Sequence, residues 1–476
     1  MCAIGQVLYE ATYHFLLSVS TLCLVGMKPT FYLRKLLTIL HLFGLLRLPN
    51  YYDKQWQSTL HLFYWGFTHS VMSVAILSNI TSTFVYSTRN LAEFLQRLFE
   101  SISFCGYYYE TVLLNIKLTQ LLSILDKLDN SFCTVQSKMF WKCKREERTL
   151  MIGCFILVIN TILATFIEAF FLPLDEVDRA LIKTIYNRQH GRKLPVNLYV
   201  PGIDISEPMY FLICSFFTVY LAGLLVVLGT VCFCNFPLFV MNVELQIRVL
   251  SRYVRMIGKI HQNPQGDVIR YTNIINDEYV LQRRHEISRS YFHDMDKIVS
   301  SRDLEKYQHG YMNYEELFTR QIFKFHQKLL LLREEYIGWL HMSLVGRALF
   351  SMALLALAVY QVFSRDIYSE KTVFKYCLEL TCVVSCYFYF CHISERWQGC
   401  NDHVRRAMED SCWYQCSSRV QKNVIMMHVR TYRSVDYVEA CGIFRASYEY
   451  YVSSLKLSYS FLNFVKLQER SSMKAP

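Results

Sequence analysis

The chain has 476 residues, 53% of them hydrophobic and 15% aromatic, with only 17 Gly and 9 Pro, more apolar surface than one soluble core needs. The apolar residues fall in blocks of about 20, the length that a hydrocarbon layer about 30 Å thick selects, so an integral membrane protein is expected. The net charge of +11 is spread over loops between those blocks and not gathered on one face, which excludes a nucleic-acid-binding protein and reads as a topology signal.

In chain order, residues 1–26 are apolar but hold Glu10 and no early Lys or Arg. They lack the basic start of a signal peptide and are read as an interfacial helix. Residues 31–49 repeat Leu at helical spacing, yet Arg34, Lys35 and Arg47 leave too short an apolar run to cross, so this stretch should lie along the membrane surface. Seven spans follow, at about 59–82, 94–118, 149–172, 208–241, 343–363, 376–395 and 444–466. The second and seventh are the most polar, with Glu110 and Lys117 in one and Arg445, Glu449 and Lys456 in the other.

Loop charge sets the orientation, because basic loops resist translocation. Lys138, Lys142, Lys144, Arg145 and Arg148 after the second span face only Arg89 after the first, which puts the N-terminus in the cytoplasm and the C-terminus outside. The expected fold is all-α with seven transmembrane helices and a cytoplasmic helical anchor. It divides into N-terminal interfacial helices (1–58), spans one to four (59–241), a cytoplasmic loop and anchor helix (242–342), spans five and six (343–395), a cytoplasmic segment (396–443), and the last span with an extracellular tail (444–476). Within the long loop, 258–315 is polar and carries the turn-like Asn263-Pro264-Gln265-Gly266-Asp267, whereas 316–342 returns to helical periodicity and runs into span five without a breaker.

No phosphate loop, nucleophile elbow or zinc-protease pattern is present, so neither an enzyme nor a cofactor is expected. Most of the 17 cysteines, Cys377, Cys382, Cys386 and Cys391 among them, sit in apolar blocks as small hydrophobes. Cys412 and Cys416 with His403 form only a weak metal constellation, and no metal site is assigned. The sequon at Asn79 falls at the expected outer end of span one and is a glycosylation candidate.

Two sets of residues carry functional readings. In the last span Glu449, Ser453, Lys456, Ser460 and Asn463 recur in steps of four and three, one stripe of a helix. Such a stripe must face protein or water, as an ion pathway or as a packing seam. Elsewhere Tyr107, Tyr108, Glu110, Glu168, Tyr360, Tyr376 and Glu379 place aromatic and acidic groups in the spans, suited to a pocket for small, partly apolar molecules.

The run from 440 to 468, ACGIFRASYEYYVSSLKLSYSFLNFVKLQ, resembles the signature of insect gustatory receptors. Gly442 and Phe444 match the Gly-x-Phe entry, Ser458-Tyr459 stands for Thr-Tyr, and Val465-Lys466 replaces the closing Gln-Phe. LLTILHLFGLLRLP at 36–49 and FHQKLLLLREEYIGWLHMS at 325–343 extend the likeness. The resemblance implies a ligand-gated cation channel in the plasma membrane of sensory neurons, a homo- or heterotetramer with related subunits. The last helices would surround the pore, and small-molecule tastants or pheromones, of the aversive or bitter kind by exclusion of the sugar-sensing branch, would bind among the spans. A ring of Lys456 ammonium groups would repel cations, which points to a heteromeric subunit or co-receptor. The alternative is a G-protein-coupled receptor, which the loop charges and the absence of its span-three and span-seven motifs disfavour.

Overall fold

The computed structural model describes residues 27–49, 51–132, 138–172, 176–186, 194–196, 198–199, 205, 207–282, 301–363, 370–433, 438–440 and 444–472. The interfacial helix expected at 1–26 lies outside them. The helices are α1 (Phe31–Leu42), α2 (Gln55–Val85), α3 (Leu91–Ile116), α4 (Leu118–Asn130), α5 (Lys138–Phe170), α6 (Glu176–Tyr186), α7 (Pro208–Val254), α8 (Ser301–Phe363), α9 (Glu370–Glu409), α10 (Ser418–Arg433) and α11 (Tyr448–Ser472). A helix runs through each of the seven stretches read as spans. Five helices, α2, α5, α7, α8 and α9, are long and apolar enough to cross a membrane. α3 and α11, at 26 and 25 residues, have the length but carry more charge.

α2 displays the polarity of a helix that has lipid for solvent. It buries His61, Thr68, Asn79, Ser82 and Thr83 and exposes Leu60, Phe63, Phe67, Val74 and Leu77. In water this would be inverted; in hydrocarbon the polar groups must find partners within the protein. Asn79 does so: its Oδ1 accepts from Ser101 of α3 at 2.6 Å, and the residue is 1% exposed. The glycosylation candidate is thus enclosed between two helices.

α7 is the central helix, packed against α5, α9 and α8. α3 and α8 approach closely because each offers a glycine to an aromatic ring of the other: Gly106 lies against Phe350, and Gly346 against Tyr109. α1 is fastened by buried charges. Asp129 accepts from the Thr30 amide and hydroxyl and from Arg34, at 3.0, 2.6 and 2.9 Å. Lys144 donates to Glu147, to Asn242 at 3.0 Å and to the Pro29 carbonyl.

Beyond the apolar stretch of α8, Arg333 is 1% exposed and donates to Asn401 at 2.6 Å and to the Trp397 carbonyl at 3.1 Å. These bonds join α8 to α9. Three expectations are corrected in this part. The polar segment after α7 contains an antiparallel hairpin, β1 (Val268–Asn273) with β2 (Glu278–Gln282), turned at Asp277 with φ 54°; the β-branched and aromatic residues Val268, Ile269, Tyr271, Tyr279 and Val280 and a short acidic residue tolerant of positive φ account for it. α8 begins at Ser301, not 316. The last helix begins at Tyr448, not 444, because β4 (Phe444–Arg445) pairs with β3 (Glu439–Ala440).

The hairpin is anchored by His261, whose carbonyl accepts from the Ile269 amide at 2.8 Å, whose Nε2 donates to the Met256 carbonyl at 2.8 Å and whose Nδ1 lies 3.0 Å from the Tyr314 hydroxyl. Burial pushes this imidazole below its ordinary pKa, in keeping with a neutral ring between those partners.

α1 ends in a Schellman motif. The Leu45 amide reaches the Leu40 carbonyl at 2.9 Å, the Gly44 amide reaches His41 at 3.0 Å, and Leu45 packs with Leu40 in one buried cluster. Gly44 holds φ 68°, and a Cβ there would lie 2.7 Å from the Tyr64 ring. We expect Gly44→Ala to destabilise the fold by about 1–2 kcal/mol, the usual left-handed penalty, with further loss from the Tyr64 contact. Thermal unfolding in lipid nanodiscs reads this as a lowered Tm.

Candidate functional site: a cavity among five helices

A cavity of about 210 Å³ lies between α3, α5, α7, α8 and α9. α3 contributes Phe99, Ser103, Gly106, Tyr107 and Glu110, spaced so that one face of the helix turns to the cavity. Phe166 of α5, Phe233 of α7, Phe350 of α8 and Phe390 of α9 make the remaining wall largely aromatic.

Charge is confined to the two ends, set about 15 Å apart by the ten-residue step along α3 from Glu100 to Glu110. At one end Glu110 accepts from Arg347 Nε and Nη2 at 3.1 and 3.0 Å and from the Ser343 hydroxyl at 2.7 Å. The third Arg347 nitrogen, Nη1, donates to the Cys232 carbonyl at 2.7 Å. This forked pairing neutralises both charges and joins α3, α7 and α8. At the other end Arg97 donates to Glu100 at 2.8 Å and Glu93 at 2.7 Å. The Lys375 ammonium there lies 3.0 Å from Glu168, 3.6 Å from Glu100 and 3.8 Å from Glu379.

Of the residues singled out for a pocket, Tyr107, Glu110 and Glu379 line the cavity. Glu168 stands behind it, against Lys375. Tyr108, one residue and about 100° further round the helix, faces α2, where its hydroxyl meets Ser73 at 3.0 Å and His69 at 3.3 Å. Tyr360 packs into a separate cluster with Leu95, Phe99 and Leu462. Tyr376 is buried, with the Lys375 ammonium 5.7 Å from its ring centre. Sequence reasoning missed the cations Arg97, Arg347 and Lys375. Arg347, one turn inside an apolar run, carried the signal: a charge at membrane depth is costly and therefore paired.

On α11, Ser454, Ser458, Leu462 and Val465 are buried against α8 and α9, while Glu449, Ser453, Lys456, Ser460 and Asn463 are all exposed on the opposite face. In the family motif, Ser458 donates to the Ser454 carbonyl at 2.8 Å and Tyr459 is exposed. Gly442 lies outside the described residues, and Phe444 is described only by its backbone in β4. Tyr387 touches both regions: it lines the cavity, and its hydroxyl lies 3.1 Å from Ser454 Oγ. The Cys412, Cys416 and His403 constellation does not converge, since His403 lies 4.0 Å from Glu244 and the Cys416 thiol turns to the Cys412 carbonyl.

A family model described as 7tm Odorant receptor matches residues 90–459, most of the chain. The chain belongs to the 7tm odorant receptor family. Among solved structures, the insect olfactory receptor OR5 from Machilis hrabei is similar in fold, with TM-score 0.63 at 11% identity over 91% of this chain and 97% of that one. No curated protein matches. The receptor family gives no support to the G-protein-coupled alternative.

Arg347→Met leaves Glu110 buried without its cation, and breaking a buried pair in this way costs about 3–5 kcal/mol. We expect a large fall in folded protein, read by gel filtration and Tm in detergent, and substantial recovery in the double variant Glu110→Gln/Arg347→Met.

Proposed function

We propose that the chain is a subunit of a ligand-gated cation channel in the plasma membrane of sensory cells, with seven spans, a cytoplasmic N-terminus and an extracellular C-terminus. The observation that carries this reading is the two-faced α11. One face is packed on its own chain; on the other, Glu449, Ser453, Lys456, Ser460 and Asn463 are exposed, with no other element covering them among the described residues. A membrane helix with such a face needs water or a second subunit beside it, because lipid offers polar groups no partner. Four subunits placing these faces around one axis would form a water-filled pore.

Two further features support the reading. Hydropathy undercounts α3 as a span because Glu93, Arg97, Glu100 and Glu110 are charged, yet all four are paired inside the protein. Tyr387 links the cavity to α11, so a ligand that displaces its ring disturbs the Ser454 contact and the set of the pore helix. A switch of this kind works through the difference in ligand contacts between two arrangements.

The ligand on this account is a small environmental molecule. The gustatory likeness at Gly442, Phe444, Ser458 and Tyr459 speaks for a tastant or contact pheromone of the aversive group, and the matched family model speaks for an odorant; the same cavity serves either. Lys456 puts like charge beside permeating cations, which favours a heteromer with related subunits in which this chain acts as partner or co-receptor.

Patch-clamp recording tests the proposal. Cells expressing this chain alone should pass little cation current, Lys456→Ala should raise it several-fold, and co-expression with a related subunit should do the same. Large current from the unmodified chain alone contradicts the repulsion argument, and no current in any of the three contradicts the channel.

A further inference from the structure

The distribution of charge around the cavity bears on which ligands it accepts. Among the described residues three carboxylates line it, Glu100, Glu110 and Glu379, against one lining cation, Arg347. Arg347 is fully engaged by Glu110 and the Cys232 carbonyl. Glu100 is held by both oxygens on one Arg97 nitrogen, at 3.0 and 2.8 Å. Glu379 is the exception. Its nearest cation, Lys375, lies 3.8 Å from Oε1, beyond hydrogen-bonding distance, and nearer to Glu168 and Glu100. Its Oε2 has no hydrogen-bond partner among the described residues, although the residue is only 4% exposed.

A carboxyl group enclosed in this way and left short of partners is a standing cost, and a ligand bearing a cation would relieve it. We infer that the cavity takes a compact protonated amine with an aromatic or apolar body, its ammonium group held by Glu379 and its body by the aromatic wall. This rests on the reading of the cavity as the ligand site of a gated receptor.

The remaining chemistry agrees. Ring faces attract cations, and Phe99, Tyr107 and Phe166 line the same space as Glu379. An anionic ligand such as a fatty acid would meet carboxylates with no uncommitted lining cation among the described residues. The volume, about 210 Å³, is below that of sites for drug-sized ligands and fits a single ring with a short side chain.

Three probes of nearly equal shape separate charge from size: phenethylamine, 2-phenylethanol and phenylacetate. Isothermal titration against the full chain in nanodiscs should find the amine binding at least tenfold more tightly than the alcohol, with the carboxylate weakest. Glu379→Gln should weaken amine binding at least tenfold and leave alcohol binding within twofold. Should that variant fail to fold, the order of the three probes on the unaltered chain decides. Equal binding of amine and alcohol, preference for phenylacetate, binding of none of the three, or amine binding indifferent to Glu379→Gln overturns the inference. Failure of the channel reading has a different signature: amine bound through Glu379 with no current in any subunit combination.

Discussion

The pairing of Glu110 with Arg347 is the interaction on which the rest of the bundle depends. One bidentate ion pair, completed by Ser343 and the Cys232 carbonyl, joins α3, α7 and α8 at a level where a lone charge would be several kcal/mol out of place. With that pair made, the glycines at 106 and 346 bring α3 and α8 together around each other's aromatic rings, and the pair itself lines one end of the cavity. The same rule, polar groups satisfied inward and apolar groups turned outward, orders α2 and α3.

α11 follows the rule on one side only. Ser454 and Ser458 bond back to their own helix, and Ser454 also meets Tyr387. The opposite face keeps an acid, a base, two hydroxyls and an amide uncovered by any other element among the described residues. Helix α9 spans the distance between the two regions, with Glu379 at the cavity and Tyr387, eight residues later, touching both cavity and α11. A single packed side chain thus joins the cavity to α11.

Much of this was legible in the sequence. Apolar runs of the right length marked the helices, and the step of four and three marked the polar face of α11, because both depend on spacing along a single helix. The acidic cavity residues Glu110 and Glu379 stood out as charges within apolar runs. What could not be read was direction and partnership. Tyr107 and Tyr108 are adjacent in sequence and face different helices, and the match of Arg347 to Glu110 spans 237 positions. The hairpin and the late start of α11 escaped notice because short strand pairings depend on which segments meet, not on the period of either one.

The central claim is that the uncovered face of α11 borders a water-filled path. Cysteines placed singly at Ser453, Lys456, Ser460 and Asn463, with buried Ser458 and Leu462 as controls, co-expressed with a related subunit and treated with a charged thiol reagent while current is recorded, test it most directly. The account predicts rapid modification and block at the four face positions and none at the controls. Equal modification at all six positions, or modification of the face without effect on current, would contradict it.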